Sequence, residues 1–430
     1  LLECKKTGKP GIYQMIAKRD PNWLDAFTNL ENRMLLINSN IFANPMSRMN
    51  ADTFIQHRIK EAKDCINNIL TTCQYGQFSL PHYLPQIREF LSSLGEAHSA
   101  FNTVEKLKIA DVNARFIDLS GWGSEENISL DEVILRAFKN IDVTTELPIV
   151  TGYAHCAEGL MKTYDRGYSE MAFSRIAALT NADKAIIHKE YHLSTADPRI
   201  VGPDYVKPMG KTNFDVADQL ANLGMEAIHP NAAAGLRQKS IPLQVKNTFE
   251  PEHEGTLISN EYQPENEAIE IIAGRNKVFA LHLFDQTMVG LMGNVSYELM
   301  EIISEEQVKL IGKEMNANSM TYYLHGSSKS LNRVLYKVER CCPSASVSGK
   351  MVALISAIGA KMNTNLVLAK GMHTLERVGI SPMAVHSSMR NTNVQFCVED
   401  GDYESAICQL HNALIHPSPI QSNSTNQPQS

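Results

Sequence analysis

The chain has 430 residues, 43% of them hydrophobic and 20% charged, with a formal net charge of −7. A chain of this length and apolar content can bury more than one core and reads as two or three globular domains. Net negative charge without a dense Lys/Arg run argues against a nucleic-acid partner, and no apolar run approaches the roughly 18 residues that cross a bilayer, which argues against a membrane one. The eight cysteines show neither a CxxC pair nor a Cys/His spacing suited to zinc. Reduced thiols and a cytoplasmic location are therefore expected.

From Tyr13 to about Leu94 the sequence is helical in character, rich in Leu, Ile, Met, Arg and Glu, with breaks near Pro21, Pro45, Gly76 and Pro81. No chemistry is assigned to this layer. An amphipathic helix is expected to open at Ser92, Ser93 and Glu96 and to run through Ala97, Phe101, Val104 and Leu107 into the strand ARFIDLS. On spacing alone, Glu96 is a first-turn acid that satisfies the helix dipole. Asp118 ends the strand at the edge where open α/β sheets place ligands, a position that a plain turn fits equally.

After an acidic segment, the strand LPIV enters VTGYAHCAEGLMKTYDRGYSEMAFSRIAALTNADKAIIHKEYHLSTADPR. This stretch reads as a polar loop, a helix with Met171, Phe173, Ile176, Ala177 and Leu179 on one face and Ser169 as N-cap, a strand KAIIHKE, and a loop closing on Asp197-Pro198-Arg199. A polar loop at a helix N-terminus favours anions. Arg166 offers a bidentate fork, Gly167 permits close backbone approach, and Glu170 can orient a metal or cation. The same residues fit a surface capping turn with a solvated Arg–Glu pair. Pro198 restricts Asp197 to an extended conformation and projects Arg199 in one direction.

Further on, a helix from Asn213 to Leu220 ends at Gly224, and His229 before Pro230 reads as a hydrogen-bonded structural histidine. The strand IPLQVKN ends in Lys246 and Asn247, and a strand TLIS follows Gly255. Residues 260–267 read as a polar linker. Beyond them a β–α–β–β–α–β pattern occurs twice, and residues 417–430 have the Ser/Pro/Asn/Gln composition of a disordered tail.

The runs TYDRGYSE, STADPR, IPLQVKN and EGTLIS, in this order, resemble the aspartate kinases of the amino-acid kinase family, in particular those associated with ectoine synthesis. The resemblance covers nearly the whole chain. It implies an α/β, three-layer amino-acid kinase fold over residues 1–259, a linker at 260–267, and two ferredoxin-like ACT domains at 268–345 and 346–416. The family's first strand, with Lys-Phe-Gly-Gly-Thr-Ser, and a second ending in a Ser-rich turn have no counterpart here, so an N-terminally truncated kinase domain of doubtful activity is expected. The implied reaction is phosphorylation of the β-carboxylate of L-aspartate by ATP with Mg²⁺.

By the same resemblance Glu96 binds the ammonium group of aspartate, and Arg166 and Ser169 bind its carboxylates. Glu170 stands where the family carries an aspartate that organises the transferring phosphoryl group, so Glu170 and Arg166 are the catalytic candidates. His188, Lys189, Ser194, Arg199, Lys246 and Asn247 fall on nucleotide positions, and Tyr168 replaces a family glycine. ACT domains imply a homodimer or higher homo-oligomer and an effector such as lysine or threonine. The loop from Phe284 to Gly290 lacks the usual Pro-Gly, so a purely dimer-forming role stands beside the regulatory one. Two further readings remain open: a non-catalytic, amino-acid-binding regulatory subunit, and another amino-acid kinase.

Overall fold

Long amphipathic runs dominate the first third of the chain, and in the computed structural model they form the helices Trp23–Ile41, Pro45–Thr72 and Leu80–Ile109. The structure describes residues 10–124, 126–164, 167–225, 227–290 and 292–415, so Arg166 and the tail 417–430 lie outside the described residues. Phe27, Ile55, Ile59, Ile66, Leu91 and Leu94 interlock between the helices with almost no exposure. Asn44 caps the second helix by accepting from the Met46 and Ser47 amides, with Pro45 at its first position.

No helix starts at Ser92, contrary to the sequence expectation. Leu80–Ile109 is one element that carries Pro85 inside it. Ser92 Oγ donates to the Arg88 carbonyl (2.9 Å) and Ser93 Oγ to the Phe90 carbonyl (2.7 Å), so both hydroxyls are satisfied inside the helix rather than capping a new one.

The chain divides into two compact units, one containing residues up to Ala182 with Ala234–Lys239, the other Asp183–Ala233 and everything after Ser240. In the first, strands β1 (Ala114–Ile117) and β2 (Leu147–Val150) pair in parallel. The helices Leu130–Phe138 and Tyr168–Leu179 pack on them through Ile117, Leu130, Ile134 and Ile176. Gly167, in the left-handed region at φ 82°, rather than Ser169 caps the second of these helices, which places Ser169 in its first turn.

The second unit holds two sheets. The smaller has the order β3-β5-β6-β4, from β3 (Ala185–Lys189), β4 (Lys211–Thr212), β5 (Leu243–Asn247) and β6 (Thr256–Ile258). Its β3–β5 pair is parallel and sets His188 beside Lys246 and Lys189 beside Asn247. The larger has the order β11-β12-β10-β7-β9-β8 and is antiparallel throughout.

Two of its strands, β7 (Ile271–Phe284) and β10 (Ser346–Ile358), are 14 and 13 residues long and pair along nearly their whole length. One half of that pair carries β8 (Lys309–Met315) and β9 (Ser319–His325) with the helices Met292–Glu305 and Ser328–Cys341. The other half carries β11 (Ala384–Ser387) and β12 (Asn393–Glu399) with the helices Thr364–Arg377 and Tyr403–Leu414. The first half runs β–α–β–β–α–β in chain order, whereas the second takes the start of β7 as its first strand and then runs β10, helix, β11, β12, helix. The two copies are therefore not the successive repeats that the sequence suggested but share their long strands.

Candidate functional site

In the first unit the loop after β2 turns sharply at Thr151, whose hydroxyl accepts from the Leu119 amide (3.0 Å) and donates to the Tyr153 carbonyl (2.8 Å). That turn sets Gly152 between the Glu96 side chain and Ser169. A Cβ built on Gly152 would overlap the Glu96 carboxylate and stand 3.2 Å from the Ser169 Cβ. Glu96 comes from the helix Leu80–Ile109 and Ser169 from the first turn of Tyr168–Leu179, so three elements converge on one glycine backbone.

Tyr168 donates to Glu96 Oε1 (3.2 Å), and its phenol is pushed up to about 12 by burial and by the Glu96 carboxylate. Tyr168 packs edge-on against Tyr153 at 6.0 Å, and Tyr153 donates to Glu89 Oε2 (2.5 Å). Burial and the Glu89 hydrogen bond hold the Tyr153 phenol protonated far above its ordinary range. Both tyrosines thus act as hydrogen-bond donors.

The cluster offers a carboxylate, a hydroxyl and the first-turn N–H groups of a 12-residue helix, which have no intrahelical acceptor. An amino-acid zwitterion matches that set: the ammonium group to Glu96, a carboxylate to Ser169 and the helix N-terminus. Glu170, half-buried in the same turn, stands at this end of the helix. Where Arg166 stands is outside the described residues.

Beside this cluster, a cavity of 740 Å³ opens at the carboxyl ends of β1 and β2 between Tyr153, Glu89, Ser120 and Trp122. Its rim depends on Arg58, a residue of the helical layer to which the sequence assigned nothing. Arg58 is 6% exposed, stacks between the Phe54 and Trp122 rings (4.9 and 4.5 Å), and pairs with Asp118 and with Ser120 Oγ (3.0 Å). Asp118 is therefore the half-buried partner of a buried arginine.

In the second unit a cavity of 580 Å³ lies over the carboxyl end of β3. His188, Lys189, Ser194 and Arg199 all line it, together with Ala196 and Thr248. The sequence-derived nucleotide set is thus brought together in four of its six members. Arg199 is held bidentately by Asp197 (3.0 and 2.7 Å), which keeps the Asp197 carboxyl below its ordinary value, and its side chain is 81% exposed.

The remaining two point elsewhere. Lys246 donates to the Pro251 carbonyl (2.8 Å), and Asn247, 6% exposed, bonds Glu250 Oε1 (3.0 Å) and the Phe249 amide (3.0 Å). They fasten the loop after β5. His229 is structural as expected, accepting from the Asn231 amide at 3.3 Å.

Among the described residues no group of three or more His, Cys, Asp or Glu is placed to hold a metal, and no helix is long and apolar enough to cross a membrane. A Mg²⁺ ion in such a setting is carried chiefly by nucleotide phosphates and water, with one or two carboxylates at most.

Comparison with known proteins agrees in extent with this organisation. The family model described as the amino acid kinase family matches residues 23–247. Aspartate kinase Ask_Ect of Stutzerimonas stutzeri is 47% identical over 419 residues, covering 97% of this chain and 88% of its own length. Among solved structures, the aspartate kinase of Clostridium acetobutylicum superposes with a TM-score of 0.72 at 21% identity, covering 96% of this chain and 91% of that one. E. coli aspartokinase III in complex with aspartate and ADP superposes with a TM-score of 0.70 at 19% identity, covering 94% and 91%. The fold, an α/β kinase region followed by a double ferredoxin-like sheet, is shared with both.

Proposed function

The chain belongs to the aspartate kinases of the amino acid kinase family, and from that premise we propose that it transfers the γ-phosphoryl group of ATP to the β-carboxylate of L-aspartate, giving 4-phospho-L-aspartate and ADP. A carboxylate oxygen forms the new bond to phosphorus as the bond to the bridging β,γ oxygen breaks, and ADP leaves. The observation that carries this reading is the convergence of Glu96 and Ser169 on the backbone of Gly152. A site with one anionic group and several fixed donors selects a dicarboxylic amino acid by charge and by length.

Glu96 binds the ammonium group, Ser169 and the helix N-terminus hold a carboxylate, and Tyr168 keeps Glu96 in place by its hydrogen bond. The nucleotide lies in the cavity lined by His188, Lys189, Ser194 and Arg199, where the two cations offset phosphate charge. Mg²⁺ bound with the nucleotide would be held chiefly by its phosphates and water and would supply positive charge there. Catalysis in this scheme is positioning and charge stabilisation, with no covalent enzyme intermediate. The two sheet lobes supply a homo-oligomer interface and a site for an amino-acid effector such as lysine or threonine.

An ADP-release assay with this chain, ATP, Mg²⁺ and aspartate tests the proposal. The expected outcome is release that requires aspartate and is not supported by glutamate, with hydroxylamine trapping an acyl hydroxamate. Binding of aspartate without ADP release would instead support a regulatory subunit.

A further inference from the structure

One wall of the nucleotide cavity is the loop of residues 194–199, and its residues divide sharply by the direction they face. Ser194, Ala196, Asp197, Pro198 and Arg199 line the cavity. Thr195 faces away from it, into the second ferredoxin-like lobe. There its hydroxyl shares a hydrogen bond with His411 Nε2 (3.0 Å) on the last helix, Tyr403–Leu414, where His411 is 0% exposed.

The Thr195 carbonyl accepts from the Ile272 amide at the start of β7 (2.9 Å), and its hydroxyl also accepts from the Lys207 amide (3.1 Å). Immediately after the loop, Ile200 and Val201 pack into the core of the same lobe with Ile272, Ile407 and Leu410. Cys408 Sγ donates to the Ile200 carbonyl at 3.5 Å. On the cavity's other side, Gly224 sits so close to the Arg275 guanidinium of β7 that an added Cβ would stand 2.5 Å from Nη2.

The loop is tied locally to residues 207 and 208, through Thr195 with Lys207 and the bridge between Ser194 and Pro208, and beyond those to the second lobe. From the lobe side, the Thr195 carbonyl is held by β7 and the Thr195 hydroxyl by the final helix, while the cavity side of the loop carries the groups that would meet a nucleotide. Displacing a loop by a fraction of an ångström changes the fit of every group on it.

We propose that Thr195 and His411 are positioning residues for the nucleotide, acting by fixing the loop 194–199 from the second lobe, so that the placement of the final helix sets nucleotide affinity. This rests on the nucleotide reading of the cavity given above. Neither residue touches ligand in this scheme.

The test is titration of the full chain with ADP, with separate KM values for ATP and aspartate. Thr195→Val removes the hydroxyl at nearly constant shape and should weaken ADP about tenfold, the size of one buried hydrogen bond, with a parallel rise in the KM for ATP. The KM for aspartate at saturating ATP should stay within about twofold, and Thr195→Ser should restore ADP binding to within about twofold. Equal ADP binding by wild type and Thr195→Val, a matching rise in both KM values, or failure of serine to rescue would overturn the proposal. Should Thr195→Val not fold, His411→Gln is judged by the same KM split.

Thr248→Trp separates this inference from the reading beneath it, because Thr248 is exposed at the cavity rim and indole would fill the space. If Thr248→Trp leaves ADP binding intact, the nucleotide assignment of the cavity fails. If it abolishes binding while Thr195→Val binds as wild type, the assignment stands and the positioning role falls.

Discussion

The cluster proposed for the amino acid and the cavity proposed for the nucleotide are built on opposite principles. Around Gly152 the groups are half-buried, interlocked and held by tyrosine hydroxyls, with no room for an added methyl group. Around β3 the charges stand in the open, and Arg199 is neutralised by Asp197. A small zwitterion needs a rigid, preformed frame, because each of its few contacts must be made well. A nucleotide triphosphate brings enough charge and surface to reorganise exposed partners when it arrives.

Substitutions can break or sharpen that contrast. The largest effect is expected at the base of the amino-acid side: Asp118→Ala leaves the Arg58 guanidinium buried and unpaired, and should lower unfolding free energy by about 3–5 kcal/mol, measured by urea denaturation. Gly152→Ala should keep the fold yet cut kcat/KM for aspartate by about 100-fold, since the Glu96 carboxylate must move to admit the methyl group. ADP affinity, read by titration, should not change with it.

Glu96→Gln removes the charge that meets an ammonium group and should raise the KM for aspartate about 10- to 100-fold. Arg199→Ala, on the open side, should raise the KM for ATP only about two- to fivefold, an effect that shrinks further in added salt. A 100-fold loss there would show that the cavity closes on its ligand as tightly as the amino-acid side does.

The smallest effect concerns Glu270, which accepts from Thr212 Oγ1 (2.5 Å) and the Ala360 amide (2.9 Å) and whose carboxyl is raised above its ordinary 4.5 by burial. A carboxyl raised on folding means the native state binds more protons than the unfolded chain, so stability falls as pH rises from about 4.5 through the elevated native value. Glu270→Gln should flatten that part of the curve, as followed by thermal unfolding between pH 4 and 7.

Much of this fold was legible because apolar runs and their punctuation are local. The breaks at Pro45 and near Gly76 to Pro81 fall at helix ends, LPIV is β2, and KAIIHKE contains β3. The extended Asp197 before Pro198 was legible as a local motif, whereas the roles given to Glu96 and Ser169 rest on the family resemblance. What stayed hidden depends on contacts between distant positions. Arg58 reads as one more charge on an amphipathic helix until Asp118, 60 residues on, and Trp122 enclose it. Thr195 and His411 are 216 residues apart, and neither neighbourhood announces the other. Lys246 ends its strand where a phosphate ligand would be expected, but a nearby carbonyl captures its ammonium group, a choice made by the path of the loop after β5.

The two long strands β7 and β10 act as common beams for both lobes, and this forbids treating either lobe as a cassette. A fragment starting at Ser346 would retain β10 through β12 but lose the strand that covers one side of β10. Its bare backbone edge would invite association between copies. Exchange of one lobe for that of another protein therefore has to carry both beams along, or join the grafted piece by one cut in each.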